Sequence, residues 1–194
     1  MEIIKTRAVK TPERNARENA GIDFFIPDNT PEFINDFLAK NPGVVGADAA
    51  SSNDIEDTTL AYIRIAKKSI LYKETGVIEI GPHKDVIIPS GIRSKFGPNL
   101  ALIANNKSGI ATKKKLIFGA SVIDCSYQGE WHLHLINTSD EYQTIKCGDK
   151  IIQFIPTWIS TEGIELKDET PEEFYTTRTS RGEGWQGSTN ITEK

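Results

Sequence analysis

A chain of 194 residues can bury a real core and suits one domain, or one domain carrying a sizeable insertion. Its 38% apolar and 26% charged residues are ordinary for a globular chain, and its net charge of -4 leaves no electrostatic footprint for nucleic acid, so a strongly anionic ligand would need locally placed cations or a metal ion. No apolar run approaches the roughly 20 residues of a membrane span, residues 1–20 lack a signal peptide's apolar stretch, and two cysteines, Cys125 and Cys147, make no disulfide framework; these features predict a cytoplasmic chain with no membrane partner.

The first apolar run is IDFFIP, residues 22–27. A helix is predicted next, in NTPEFINDFLAKN: Thr30 caps it, Pro31 suits its first position, and Phe33, Ile34, Phe37 and Leu38 share one face. The Gly/Ala/Ser/Asp-rich stretch PGVVGADAASSNDIED then reads as a mobile loop, and residues 28–75 as an insertion carried on a β core. Beyond it come VIEI, VIIP, ALIA, KLIF, WHLHLIN and IIQFIP, short Ile/Val-rich runs broken by Gly, Pro, Asn or Asp. That rhythm predicts an all-β sandwich or barrel. The clearest strand is 130–137, with Trp131, Leu133 and Leu135 on one face and Glu130, His132, His134 and Ile136 on the other. From Thr176 onward almost nothing but Trp185 is apolar, so 176–194 is expected to be a flexible arm.

Four segments could carry chemistry. In NNKSGIATKKK, Lys107, Ser108 and Gly109 offer a charge, a hydroxyl and a bare backbone N–H in a row, which suits phosphate oxygens; Lys113–Lys115 read as a solvated edge. Asp124 ends an apolar run after the small-residue turn Gly119-Ala120-Ser121. A carboxylate there can act as a general base, although in isolation it reads more readily as a turn cap. Tyr127 stands three residues on, where its ring could stack on a sugar or simply belong to the core. His132 and His134 share a strand face that could ligate zinc, but no CxxC or HExxH accompanies them, and surface or interface histidines fit better. Finally RGEGWQGST, with three glycines, an arginine and a hydroxyl pair, could cradle phosphate.

In order, these segments resemble the five motifs of the trimeric dUTPase family: NAGIDFF with Asp23, NKSGIATKKKLIFGASVID, VIDCSYQGEWHLHLIN, CGDKIIQFIP with Gln153, and SRGEGWQGST. With IIPSGI they cover about residues 19–27 and 76–190, and residues 28–75 fall between the first two motifs as an insertion. Any one motif would be weak; five in order and spacing are specific. The resemblance implies a jelly-roll-like (β-clip) fold, a homotrimer, and cleavage of dUTP to dUMP and pyrophosphate with Mg²⁺ held mainly by substrate phosphates and water. It implies that Asp124 orients the water for in-line attack on the α-phosphorus and that Tyr127 packs on the deoxyribose and excludes a 2′-hydroxyl. The stretch Gly119, Ala120, Ser121 and Val122, running on into Ile123, resembles the hairpin whose backbone reads the uracil edge. Ser108 and Gly109, preceded by Lys107, match the phosphate-binding pair of the second motif, and Gln153 a phosphate-side glutamine. Arg181, Gly187, Ser188 and Thr189 match the arm that closes over the γ-phosphate, with Trp185 and Gln186 at its nucleobase end. Displacement at phosphorus needs positioning and neutralised charge more than unusual side chains, which agrees with that set.

The chain departs from the family pattern in places. Lys107 stands where arginine is usual, keeping the charge without the bidentate fork. The fifth motif usually reads Gly-Phe-Gly, and here Trp185-Gln186-Gly187 places the aromatic one position early. Cys125 and Ser126 replace residues that are often acidic. Three other readings follow: a related dNTP pyrophosphatase with altered base choice, a dCTP deaminase-like enzyme of the same superfamily, and a non-enzymatic trimeric regulator using the insertion. The deaminase places a catalytic glutamate where this chain has His134.

Overall fold

The computed structural model of the chain describes residues 1–48, 57–160, 162, 163, 165–177 and 179, the side chains of 57, 58 and 60 excepted. In chain order it runs β1 (Glu2–Lys5), β2 (Ile22–Phe25), α1 (Pro31–Lys40), β3 (Val45–Ala47), α2 (Asp57–Ile65), β4 (Ile70–Tyr72), β5 (Val77–Ile80), β6 (Asp85–Pro89) and β7 (Ile92–Lys95). There follow β8 (Leu100–Asn106), α3 (Ser108–Lys114), β9 (Leu116–Phe118), β10 (Val122–Ile123), β11 (His132–Asn137), β12 (Gln143–Lys146), β13 (Lys150–Trp158) and α4 (Pro171–Phe174). Every apolar run of the sequence is a strand, and the fold is the expected jelly-roll-like all-β one with a partly helical segment after β2.

The strands form sheets in the orders β1-β7, β10-β8-β13-β2, β6-β11-β9 and β12-β5-β4-β3. The alternation of β11 holds: Leu133 and Leu135 are fully buried, as is Trp131 just before the strand, while His132, His134 and Ile136 are half-buried. The strand itself starts at His132, two residues later than the pattern implied. Trp131, Phe24 of β2 and Phe154 of β13 pack ring against ring, with centroids 4.9–5.2 Å apart. Each such pair adds roughly 1 kcal/mol beyond the area it buries. This aromatic knot holds together the three segments of chain that lead to the polar positions described below.

Helix α1 follows its sequence closely. Thr30 Oγ1 accepts from Phe33 N at 3.2 Å, and Phe33 and Phe37 are buried in the main core. Its C-terminal Asn41 is also buried and ties the helix to strand β6: its amide donates to Phe37 O and Ile87 O, and its Oδ1 accepts from Ile87 N. The Asn41 amide thus covers the free edge of β6 as a strand would. The loop expected over 42–57 is interrupted by β3, which pairs in parallel with β4; residues 49–56 lie outside the described residues. β3 and β4 extend the β5-β12 sheet, so part of 28–75 is continuous with the β core rather than merely carried on it. Ile63 of α2 packs there with Ile70 and Tyr72 in a second small core.

Residues Met1–Thr161 make one compact unit and Glu162–Lys194 another. In the second, Thr170 and Glu173 form a capping box that starts α4. The arm positions Arg181, Trp185, Gln186, Gly187, Ser188 and Thr189 lie outside the described residues. Both cysteines are free thiols, and burial pushes Cys147 up to about 12. No helix among the described residues is long and apolar enough to cross a membrane.

Candidate functional site

The β10-β8-β13-β2 sheet brings the first, second and fourth segments together. Gln153 stands opposite Asp23 on one side and Asn105 on the other, and Asn105 lies two residues before Lys107. Lys107 is the N-cap residue of α3 and makes no side-chain cap bond; its ammonium turns instead to Asp23, which also binds Lys150 at 3.0 Å. Burial alone would raise the Asp23 pKa, but its hydrogen bonds and charge interactions with Lys107 and Lys150 prevail and hold the carboxyl below its ordinary value. Lys107, Ser108, Gly109, Ile110, Lys150 and Gln153 line a pocket of about 320 Å³. Gly109 faces open space, with no protein atom within 4 Å of where a Cβ would stand. The Gln153 amide donates to Asn106 O at 3.1 Å, which fixes its orientation at the pocket wall. Two ammonium groups, a hydroxyl and an amide in one pocket suit phosphate oxygens.

Lys150 is the residue that sequence reasoning missed. In CGDKIIQFIP it looks like any charged strand start, and only the pairing of β13 with β2 carries it to Asp23. Of the basic run at 113–115, Lys114 donates to Thr144 O, so it braces β12 rather than lining this pocket.

The third segment forms a second constellation. Gly119, Ala120 and Ser121 turn the chain from β9 into β10, the outer strand of its sheet. Ala104 N donates to Ser121 O at 2.7 Å, while Val122 lies opposite Ile103. That bond makes Val122–Ile103 a non-hydrogen-bonded pair, so the N–H and C=O of Val122 point outward at the free edge. Asp124 follows Ile123 and is exposed. Tyr127 N donates to Asp124 O at 3.1 Å, and the Tyr127 hydroxyl donates to Glu130 O at 2.9 Å. The ring lies over Gly129, where a Cβ would stand 2.4 Å from the phenol oxygen and displace the ring from this position. Asp124 and Tyr127 are thereby held in one tight turn, and neither lines the lysine pocket.

His132 and His134 do share a face of β11, but their surroundings differ. Burial, reinforced by the charge of Lys40, lowers the His132 pKa against the opposing pull of Glu130 and Asp36. His134 is engaged by Asp85 and by the turn before β10. Among the described residues no three His, Cys, Asp or Glu side chains converge as a metal site.

A lysine-rich pocket and an open strand edge thus stand on one sheet of a jelly-roll-like β protein. The dUTPase family model matches residues 72–190, and the chain belongs to the dUTPase family. It is 34% identical to the deoxyuridine 5′-triphosphate nucleotidohydrolase of Legionella pneumophila strain Paris over 116 residues, 57% of this chain and 71% of that protein. To the enzyme of the same description from Yarrowia lipolytica it is 30% identical over 128 residues, 66% of this chain and 73% of that one. Among solved structures, the dUTPase of Staphylococcus bacteriophage 80alpha with dUpNHpp superposes with a TM-score of 0.62 at 15% identity, covering 96% of both chains. The dUTPase of phage phi11 of S. aureus, described with a structural Mg(II) ion, gives 0.57 at 15% identity over 88% of this chain and 97% of its own. At those identities the superpositions establish the fold.

Proposed function

We propose that the chain is a dUTP diphosphatase that converts dUTP to dUMP and pyrophosphate. The observation that carries this reading is the lysine pocket at Asp23, Lys107, Lys150 and Gln153, built from the same segments whose order resembles the family motifs. In it, Lys107, Lys150 and the Ser108 hydroxyl neutralise and orient the triphosphate, Gly109 lets the backbone approach, and Gln153 donates to a phosphate oxygen. Asp124 orients a water for in-line attack on the α-phosphorus, and pyrophosphate leaves opposite it. Tyr127 lies against the deoxyribose, where a 2′-hydroxyl would meet the ring. Mg²⁺ would be held mainly by the substrate's phosphates and water, as the resemblance implies. That ion would offset charge on the phosphate oxygens. The arm residues Arg181, Trp185, Gln186, Gly187, Ser188 and Thr189 close over the phosphates and base, as the resemblance implies.

Because Asp124 and Tyr127 lie outside the lysine pocket of their own chain, a complete site draws the pocket and the turn from neighbouring subunits of the homotrimer. The deaminase alternative loses ground at His134. That enzyme's catalytic glutamate is replaced here by His134, whose ring is given over to holding Ala120 N–H and Asp85.

The test is turnover of dUTP, dCTP, dTTP and UTP with Mg²⁺, following pyrophosphate and base identity. dUTP yields dUMP and pyrophosphate, and UTP is nearly inert; ammonia released from dCTP would refute the reading. Asp124→Asn lowers kcat by roughly 10²–10⁴ while dUTP binding persists, the range a lost general base costs. Near-normal turnover would overturn the role of Asp124.

A further inference from the structure

Gly119 and His134 are fifteen positions apart in sequence and in van der Waals contact in the fold. Pairing of β9 with β11 places Leu135 opposite Phe118, so the turn after β9 passes directly beside the imidazole. A Cβ on residue 119 would stand 2.1 Å from the imidazole Nδ1, so with His134 in this place only glycine fits there. Two backbone amides then end on His134: Gly119 N donates to its carbonyl at 3.0 Å and Ala120 N to its Nδ1 at 3.2 Å. An N–H donor at Nδ1 requires that nitrogen to be bare, so the ring's hydrogen sits on Nε2. There it donates to Asp85 Oδ2 at 3.0 Å, from the neighbouring strand β6. Asp85 selects the tautomer, the tautomer supplies the acceptor, and the acceptor holds the Ala120 peptide.

What that peptide leads into is the free edge at Val122. With the amides of 119 and 120 committed to His134, and Ser121 O committed to Ala104, the outward donor and acceptor of Val122 are the presented pair. An N–H beside a C=O complements the adjacent acceptor and donor of uracil at O4 and N3, and mismatches cytosine, which presents a donor and an acceptor there.

We propose that His134, oriented by Asp85, is a specificity-positioning residue that fixes the 119–120 peptide and so sets the place of the Val122 edge that distinguishes uracil from cytosine. The proposal rests on the dUTP reading above and adds to it the residue that holds the base-reading turn. His134→Phe keeps a ring against Gly119 and removes the acceptor. His134→Asn returns an oxygen close to the Nδ1 position, and His134→Gln places its amide near Nε2 instead.

Loss of one positioning hydrogen bond predicts for His134→Phe a KM for dUTP raised about tenfold, with kcat within about twofold, and a dUTP-over-dCTP preference reduced about tenfold. Inhibition by inorganic tripolyphosphate, which reports the lysine pocket alone, stays as in the unmutated protein. His134→Asn restores the preference and His134→Gln does not. Independently of any substrate, hydrogen exchange at the Ala120 amide accelerates in His134→Phe and recovers in His134→Asn. An unchanged KM and preference in His134→Phe overturns the proposal, as does a matching loss at the tripolyphosphate site, which would mark a general structural defect. If the unmutated protein does not turn over dUTP, the functional reading fails and the selectivity role with it, while Ala120 exchange still decides whether His134 holds the turn.

Discussion

The Asp23 carboxylate anchors two lysine ammonium groups at the wall of the pocket, and substituting it separates their charge from their orientation. Asp23→Asn leaves Lys107 and Lys150 positive but without the acceptor that aligns them. The residue is almost fully enclosed, at 7% side-chain exposure, with partners that are partly wet, so the change costs about 1–3 kcal/mol of stability at neutral pH. The sign of the pH dependence follows from the depressed native value. The unfolded carboxyl takes up its proton near 3.8 and the folded one only lower, so the stabilisation is complete above 3.8 and is lost as pH falls through the native value. Urea unfolding from pH 7 down to pH 2.5 therefore shows the gap between the native protein and Asp23→Asn closing only below about pH 4. A gap constant over that range would mean that the two lysines do not hold Asp23 in its ionised form.

At the scale of elements, α1 is wired to the tyrosine turn through one guanidinium. Arg7 Nη2 donates to Asp36 of α1 at 2.8 Å and to Glu130 at 2.7 Å, and Glu130 accepts further from Gly91 N and Thr6 Oγ1. The backbone oxygen of that same Glu130 receives the Tyr127 hydroxyl. Arg7→Met leaves Asp36 with Lys40 as its cation and Glu130 with only the Gly91 and Thr6 donors, and costs about 3 kcal/mol, whereas Asp36→Asn leaves the Glu130 end intact and costs about 1. Thermal melts rank the two variants, and the ratio of kcat/KM for dUTP over UTP falls in Arg7→Met alone; equal ratios would uncouple Arg7 from Tyr127. Little of this wiring is legible in the sequence, because Arg7, Asp36 and Glu130 meet only through tertiary packing. What the sequence does display is what arises locally: the period-two burial of β11, the Thr30 cap of α1, the apolar runs. Strands β1, β7 and β12, with sequences EIIK, IRSK and QTIK, lack an apolar run and take their form from their partners. For the same reason Lys150 and the His134–Gly119 contact escape a reading along the chain.

At the scale of the whole molecule, the proposal that each site takes its lysine pocket and its Asp124 turn from neighbouring subunits makes subunit complementation the sharpest test of assembly. Asp124→Asn removes the carboxylate proposed to orient the water but keeps the pocket. Gln153→Glu sets a negative charge among the phosphate ligands and keeps the turn, so each variant alone is inactive for a different reason. In a closed ring every site takes its turn from one subunit and its pocket from the next. Equal, random mixing then leaves about one site in four with a native Asp124 facing a native Gln153, so co-refolded mixtures recover about a quarter of the unmutated rate. Were each site built from a single chain, no mixture could exceed its inactive components. Sedimentation of the same samples gives the oligomer size, and recovered activity without a trimer would require a different ring. The recovery also depends on exchange between subunits: mixing folded oligomers without unfolding restores little if the interface is long-lived, and the rate of slow recovery measures its lifetime.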